Sequence, residues 1–218
     1  MLNRAQVDVW LVRLDAAADW LPPTPGEAER AGRLVSAALQ RRYLRSHAAL
    51  RAILRGYTAA ALDFALAGYG KPYLPAVPEL RFNLSHSHEL ALVAVAWDVE
   101  VGVDVERLRT LQECLAIAER FFPPGDAAAL AEVPPEARAE EFFRRWTRIE
   151  AMLKARGVGL YGAGSEADGD WTVLPVEVGP EYSAAVAAGC AGMTLRVRRF
   201  AAGLRTCSRS SGESPDSI

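Results

Sequence analysis

The chain has 218 residues, half of them hydrophobic and about a quarter charged, with a formal net charge of −2. That length and composition exclude a wholly disordered chain and suit one large domain or two small ones. The near-neutral balance excludes a protein that binds nucleic acid by broad phosphate neutralisation, so any anionic ligand has to be held by a local cluster of charge.

Cys114, Cys190 and Cys207 are odd in number, far apart and without CxxC spacing. Such usage points to a reducing compartment rather than to a disulfide framework or a thiolate metal site. The chain begins with alternating apolar and polar residues, and no apolar run approaches the roughly 18 residues of a membrane span. The expected protein is cytoplasmic and unanchored.

In chain order, "VDVWLVRL" has the period-2 alternation of a strand and "LPPTPG" breaks it. From residue 27 to residue 57, Leu34, Ala37, Ala38, Leu44, Ala48, Ile53 and Leu54 recur near the helical period. Arginines including Arg30, Arg42 and Arg51 give the same stretch a dense positive face. One helix is predicted there. "RFNLS" and "LALVAVAWD" read as neighbouring strands, in a hairpin or side by side. In the second half "VGVDVE" is a strand, "LQECLAIAERFF" and "DAAALAEV" are helices, and residues 135–157 form a long helix. "WTVLPVEV", "YSAAVAA" and "TLRVRRF" then read as strands. The similar element content of the halves is compatible with two α+β lobes, residues 1–101 and 102–206. Residues 207–218 have the serine, glycine and proline composition of a disordered tail.

Three groups of residues carry chemistry. On the strand at residues 101–106, Val101, Val103 and Val105 share one face while Gly102, Asp104 and Glu106 share the other. The glycine permits close approach of a neighbour, and the acids can converge on one hard cation; the same pattern also describes the solvent face of an edge strand. On the long helix, Trp146, Glu150 and Lys154 fall on nearly one face, Glu150 offering a third carboxylate. A surface Glu–Lys pair has the same spacing. In "FNLSHSHEL", Ser85, His86, Ser87 and His88 stand at a strand end as donors suited to phosphate, or simply as polar caps. No GxSxG elbow accompanies the serines, and three histidines with His47 far off in sequence make a poor zinc site.

Taken together, "GKP" at 70–72, "FNLSHS" at 82–87, "GVDVE" at 102–106 and "WTRIEAMLKARGVGL" at 146–160 resemble, in order and interval, the signature blocks of 4′-phosphopantetheinyl transferases of the surfactin-synthetase-activating (Sfp) type. The resemblance spans roughly residues 10–200, with its specific motifs confined to 70–160. It implies an α+β fold of two similar lobes related by pseudo-twofold symmetry, the active site between them, coenzyme A as donor and Mg2+ as metal. It implies transfer of phosphopantetheine to a serine of an apo acyl or peptidyl carrier protein, with release of adenosine 3′,5′-bisphosphate, by a monomer that needs neither nucleic acid nor membrane. Asp104, Glu106 and Glu150 match the family's metal-binding acids and Lys154 its active-site lysine. Lys71, Ser85 and His86 match its coenzyme A contacts. Arg42 and Arg51, in a stretch without a motif, are further candidates for the coenzyme's phosphates. Glu150 is also the candidate general base.

Where the family commonly has lysine directly before the helix glutamate, this chain has Ile149. Arg120, Arg138, Arg144, Arg145 and Arg148, with Phe121 and Phe122, make a candidate docking surface for an acidic carrier. The same acids acting on water would make a magnesium-dependent phosphodiesterase. Binding without turnover would make a coenzyme A or carrier-binding module.

Overall fold

Period-2 sequence becomes strand and 3.6-period sequence becomes helix in the expected places, in a mixed α/β architecture. The computed structural model describes residues 6–158 and 169–201. The first half holds β1 (Gln6–Arg13), α1 (Pro25–Gly32), α2 (Ala37–Leu54), β2 (Ala65–Leu66), β3 (Pro72–Tyr73), β4 (Leu80–Ser87) and β5 (Leu90–Trp97). The second holds β6 (Val101–Arg107), α3 (Cys114–Phe121), α4 (Pro124–Ala131), α5 (Pro135–Arg156), β7 (Thr172–Pro175), β8 (Tyr182–Ala188) and β9 (Thr194–Arg199). The tail assigned to residues 207–218 lies outside the described residues.

A four-stranded sheet has the order β4-β5-β1-β9 and a three-stranded sheet the order β6-β8-β7. β4 and β5 form the expected hairpin, closed at His88 and Glu89, with His88 in the left-handed region at φ 52°. β9, placed by sequence in the second lobe, instead runs parallel to β1 in the first sheet. Arg196 of β9 grips the buried Asp8 of β1 with two bonds of 2.9 and 3.0 Å, and the Tyr57 hydroxyl donates to the same carboxylate at 2.6 Å. A buried carboxylate demands such partners, and here they fix the strand order.

The single helix expected over residues 27–57 is two. Gly32 ends α1, and Ser36, in extended conformation at φ −141°, starts α2 by accepting from the Leu39 N–H through its hydroxyl. The break lets α1 fold back on α2, where the inward-facing Arg51 pairs with Glu27 and donates to the Pro22 carbonyl at 2.6 Å.

The main core lies between the sheets: Val7, Val9, Leu90 and Leu92 from the first meet Val101, Val103, Val105 and Val186 from the second. Leu50, Ile53 and Leu54 of α2 cover the other side of the first sheet. On the far side of the second, Ala151 and Ala155 of α5 pack on Ala185 and Ala187 of β8. Gly102 lets α5 come closest: a Cβ there would stand 2.2 Å from both the Ala151 carbonyl oxygen and the Ala155 nitrogen. Among the described residues no helix is long and apolar enough to cross a membrane.

Candidate active site

Among the described residues β6 is an edge strand, so the N–H groups it turns away from β8 have no strand partner there. β4 supplies acceptors from its side chains. Asn83 Oδ1 takes the Val103 N–H at 2.9 Å, Ser85 Oγ the Val105 N–H at 3.4 Å and Ser87 Oγ the Arg107 N–H at 3.1 Å. The polar residues of "FNLSHS" alternate because β4 runs beside β6 in a constant register. Each serine also donates to the acid on β6: Ser85 to Asp104 Oδ1 at 2.9 Å, Ser87 to Glu106 Oε2 at 3.0 Å.

α5 closes the site from above. Because Gly102 admits its backbone, Lys154 Nζ reaches Asp104 Oδ1 at 2.6 Å and Ser85 Oγ at 3.0 Å. Glu150, one turn earlier, is half-buried, and its carboxyl pKa is raised above the ordinary value of 4.5. Burial is the main cause; Lys154 opposes it, and the negative charges of Asp104 and Glu106 add to it. The strand acids and helix acid predicted to act together therefore share one electrostatic neighbourhood.

The predicted coenzyme contacts are placed unevenly. His86 is on the open side of β4, and its pKa is lowered by desolvation and then by His47, Lys154 and Arg42. Lys154 and Arg42 supply the local positive charge that the near-neutral overall charge requires of an anion binder, and the imidazoles, held neutral by their lowered pKa values, add hydrogen-bonding groups beside them. Arg42 is held by Glu89 at 2.7 Å. Ser85 is buried, and its hydroxyl already donates once and accepts twice. Lys71 Nζ donates to Glu100 Oε2 and to the Ala155 carbonyl, both at 2.7 Å, and so caps the C-terminal turn of α5. Burial lowers its pKa against the opposing pull of Glu100. Arg51 is spent on the α1–α2 contact described above.

Sequence reasoning singled out Ser85 but passed over Asn83, whose part in the ladder only its place two residues earlier on the same strand face could have signalled. Ile149 packs with the helical core of α3, α4 and α5 and lines a groove with Pro123, Arg145, Arg148, Met152 and Val173. On the predicted docking surface, Phe122 is buried and Arg138 is bonded to the carbonyls of Ala131 and Val133. Arg144 and Arg145 are paired with Glu141. Arg120 lies over the Phe121 ring, and Arg148 is exposed.

Among the described residues no three carboxylate, imidazole or thiol groups stand together as a ready-made metal cage. The donor set nevertheless suits a hard cation. Asp104 Oδ2 is buried without a hydrogen-bond partner among the described residues, a costly state for a carboxylate oxygen that an oxygen-seeking ion relieves. The raised pKa of Glu150 comes first from burial and then from the charges of Asp104 and Glu106, and a divalent ion beside the three acids would oppose both.

Comparison with known proteins points to one family. The family model described as the 4′-phosphopantetheinyl transferase superfamily matches residues 100–182, which include β6 and α5. The 4′-phosphopantetheinyl transferase HetI of Nostoc sp. is 36% identical over 166 residues, 71% of this chain and 70% of that relative. The transferase psf-1 of Bacillus pumilus is 40% identical over 103 residues, 47% of this chain and 43% of the relative. The transferase Sfp of Bacillus subtilis is 32% identical over 100 residues, 45% and 43% of the two chains. Against these last two the match spans less than half of each relative's length.

Proposed function

The chain belongs to the 4′-phosphopantetheinyl transferase superfamily and is an enzyme of the transferase class, and we propose that it moves the phosphopantetheine arm of coenzyme A onto a serine of an apo carrier protein. Adenosine 3′,5′-bisphosphate is the other product. The observation that carries this reading is the cluster of Asp104, Ser85 and Lys154, with Glu150 one turn away, beside the Arg42 guanidinium and the imidazoles of His86 and His47. Acids that suit a metal next to cations that suit phosphate are what phosphoryl transfer needs.

Asp104, Glu106 and Glu150 would hold Mg2+, which when bound would neutralise pyrophosphate charge as a Lewis acid. Lys154 offsets charge on the same phosphates, and Arg42 and His86 meet the remaining phosphate oxygens. Lys71 and Ser85 serve that set by fixing α5 and Asp104, and Arg51 braces the arginine-bearing helix. Glu150 would give the ion one carboxylate oxygen only and serve as base with the other: it takes the proton from the carrier serine as that oxygen attacks the phosphorus bearing the pantetheine arm. The bond from this phosphorus to the oxygen of the adenosine bisphosphate then breaks. Residues 1–101 and 102–206 are read as two lobes in pseudo-twofold relation. A sheet covered by α2 and a sheet covered by α5 support that reading, with β9 returning to the first sheet. An acidic carrier would dock on the flank of Arg120 and Arg148. The cysteine usage supports a cytoplasmic setting, and we take the working form to be a monomer.

Mass spectrometry of apo carrier protein incubated with this protein, coenzyme A and Mg2+ tests the proposal. One added phosphopantetheine on the carrier serine, absent when a chelator is present, is the expected result. Nucleotide release without carrier would support a phosphodiesterase instead, and coenzyme binding with no product on any carrier class would support a binding module.

Glu150→Gln checks the role of the base. The variant should lose about 10²–10⁴-fold in kcat. Stability in metal-free buffer follows with a definite sign. A carboxyl whose folded pKa is raised binds protons more readily in the native than in the unfolded state, so the ionised Glu150 weakens the fold at neutral pH. The Gln variant should melt about 1–3 °C above wild type at pH 7. That gap should close as pH falls through the raised pKa towards the ordinary one. Calorimetry across this range decides; a gap that does not vary with pH would show that burial and the neighbouring acids do not act on Glu150.

A further inference from the structure

The two serines of β4 touch the two acids of β6 in the same way. Among the described residues, every hydrogen bond to Asp104's side chain falls on Oδ1, from Ser85 and Lys154, and Oδ2 is buried with none. Among the same residues the bonds to Glu106's side chain fall on Oε2, from Ser87 at 3.0 Å and Arg109 at 3.4 Å. Each serine is itself fixed, because its oxygen accepts a backbone N–H of the strand that carries its acid. Both are buried, at 7% and 9% exposure, so neither is free to turn to another partner. One oxygen of each acid is thus tied down by a hydroxyl anchored to the acid's own strand.

We propose that Ser85 and Ser87 are positioning residues that clamp one oxygen of Asp104 and of Glu106 and thereby present the other oxygen to a divalent cation. The inference rests on the metal reading above and adds to it the part of β4. A carboxylate on a free side chain must be ordered when it binds a cation, whereas one held by a fixed donor has lost that freedom on folding. The ladder therefore does two things with the same atoms: it joins β6 to β4 through the N–H groups and sets the carboxylates through the hydroxyl protons.

Ser87 is the residue to test, since Ser85 also accepts from Lys154. The probe is Mn2+, titrated into the full chain without coenzyme or carrier and followed by the electron paramagnetic resonance of the free ion, with melting temperatures measured in parallel. Ser87→Ala should weaken Mn2+ binding about 10–100-fold, and Ser87→Thr, which returns the hydroxyl, should restore it to within a few-fold. In a Glu106→Gln background, Ser87→Ala should have no further effect on the ion, because the serine acts through that acid. Ser87→Cys, which retains a weak donor and acceptor, should fall between Ser and Ala and serves if the alanine variant does not fold. A lower melting temperature with unchanged Mn2+ affinity in Ser87→Ala or Ser87→Cys would overturn the inference and leave the serine a purely structural link. Failure of the wild type to bind Mn2+ in a manner lost with Asp104→Ala would overturn the metal reading itself, and the inference with it.

Discussion

Gly102→Ala should disable the enzyme although it adds only a methyl group. The new Cβ would meet the Ala151 carbonyl oxygen and the Ala155 nitrogen at 2.2 Å and the Ala155 Cα at 2.8 Å. All three belong to the backbone of α5, so no rotamer change relieves the overlap; the helix has to move away from β6. Overpacking of this kind costs about 1–3 kcal/mol, which in a chain of this length lowers the melting temperature by roughly 3–10 °C. The catalytic loss should be larger than the stability loss suggests. Glu150 and Lys154 ride on α5 while Asp104 and Glu106 stay on β6, and a misplacement of about 1 Å between reacting groups can cost on the order of 10²-fold. Steady-state kinetics with a carrier protein, beside a thermal melt, checks both; full activity at the wild-type melting temperature would mean that α5 does not pack on β6 as described.

Asp104→Asn should be the most damaging single change in the site. The side chain keeps its size but gives up two things that only the carboxylate supplies. It loses the charge that holds Lys154 Nζ at 2.6 Å, and it replaces the unpartnered oxygen Oδ2 or its neighbour by an amide nitrogen that cannot serve a cation. The Ser85 hydroxyl, which donates to Asp104 while accepting from Lys154, loses part of its own alignment. A drop of at least about 10²–10³ in kcat/KM is expected, the scale seen when a charge-stabilising group is removed. Coenzyme A affinity measured by calorimetry with Mg2+ should fall as well, and raising Mg2+ should not restore the rate. An asparagine variant within tenfold of wild type would remove Asp104 from the centre of the proposed chemistry.

Much of the site is a local matter, and local matters are written in the chain. Period-2 alternation assigns Val101, Val103 and Val105 to the core and leaves Asp104 and Glu106 opposite, and the structure buries those valines between the sheets. The spacing of four residues puts Glu150 and Lys154 on one side of α5, whose end is marked by Gly157 in left-handed conformation at φ 66°. A glycine among the acids signals close approach, and α5 is what approaches. What could not be read locally is which distant group satisfies a given polar atom. Nothing in an arginine-rich helix distinguishes Arg42, which lies near His86, from Arg51, which is turned inward to Glu27. Lys71 has the composition of a ligand contact and is instead bonded to a carbonyl of α5.

The longer strands, the helical stretches and the faces on which the chemical groups sit are legible in the chain alone, because backbone periodicity and side-chain polarity act over a few residues. Only the tertiary structure decided that β9 joins β1, that the residues expected as one helix fold back as two, and that Asn83, Ser85 and Ser87 stand where a neighbouring strand would otherwise bond β6. The reason is the same in each case. A buried carboxylate, guanidinium or edge N–H must find a partner, and any of several residues far away in the chain could supply it until packing brings one of them within reach.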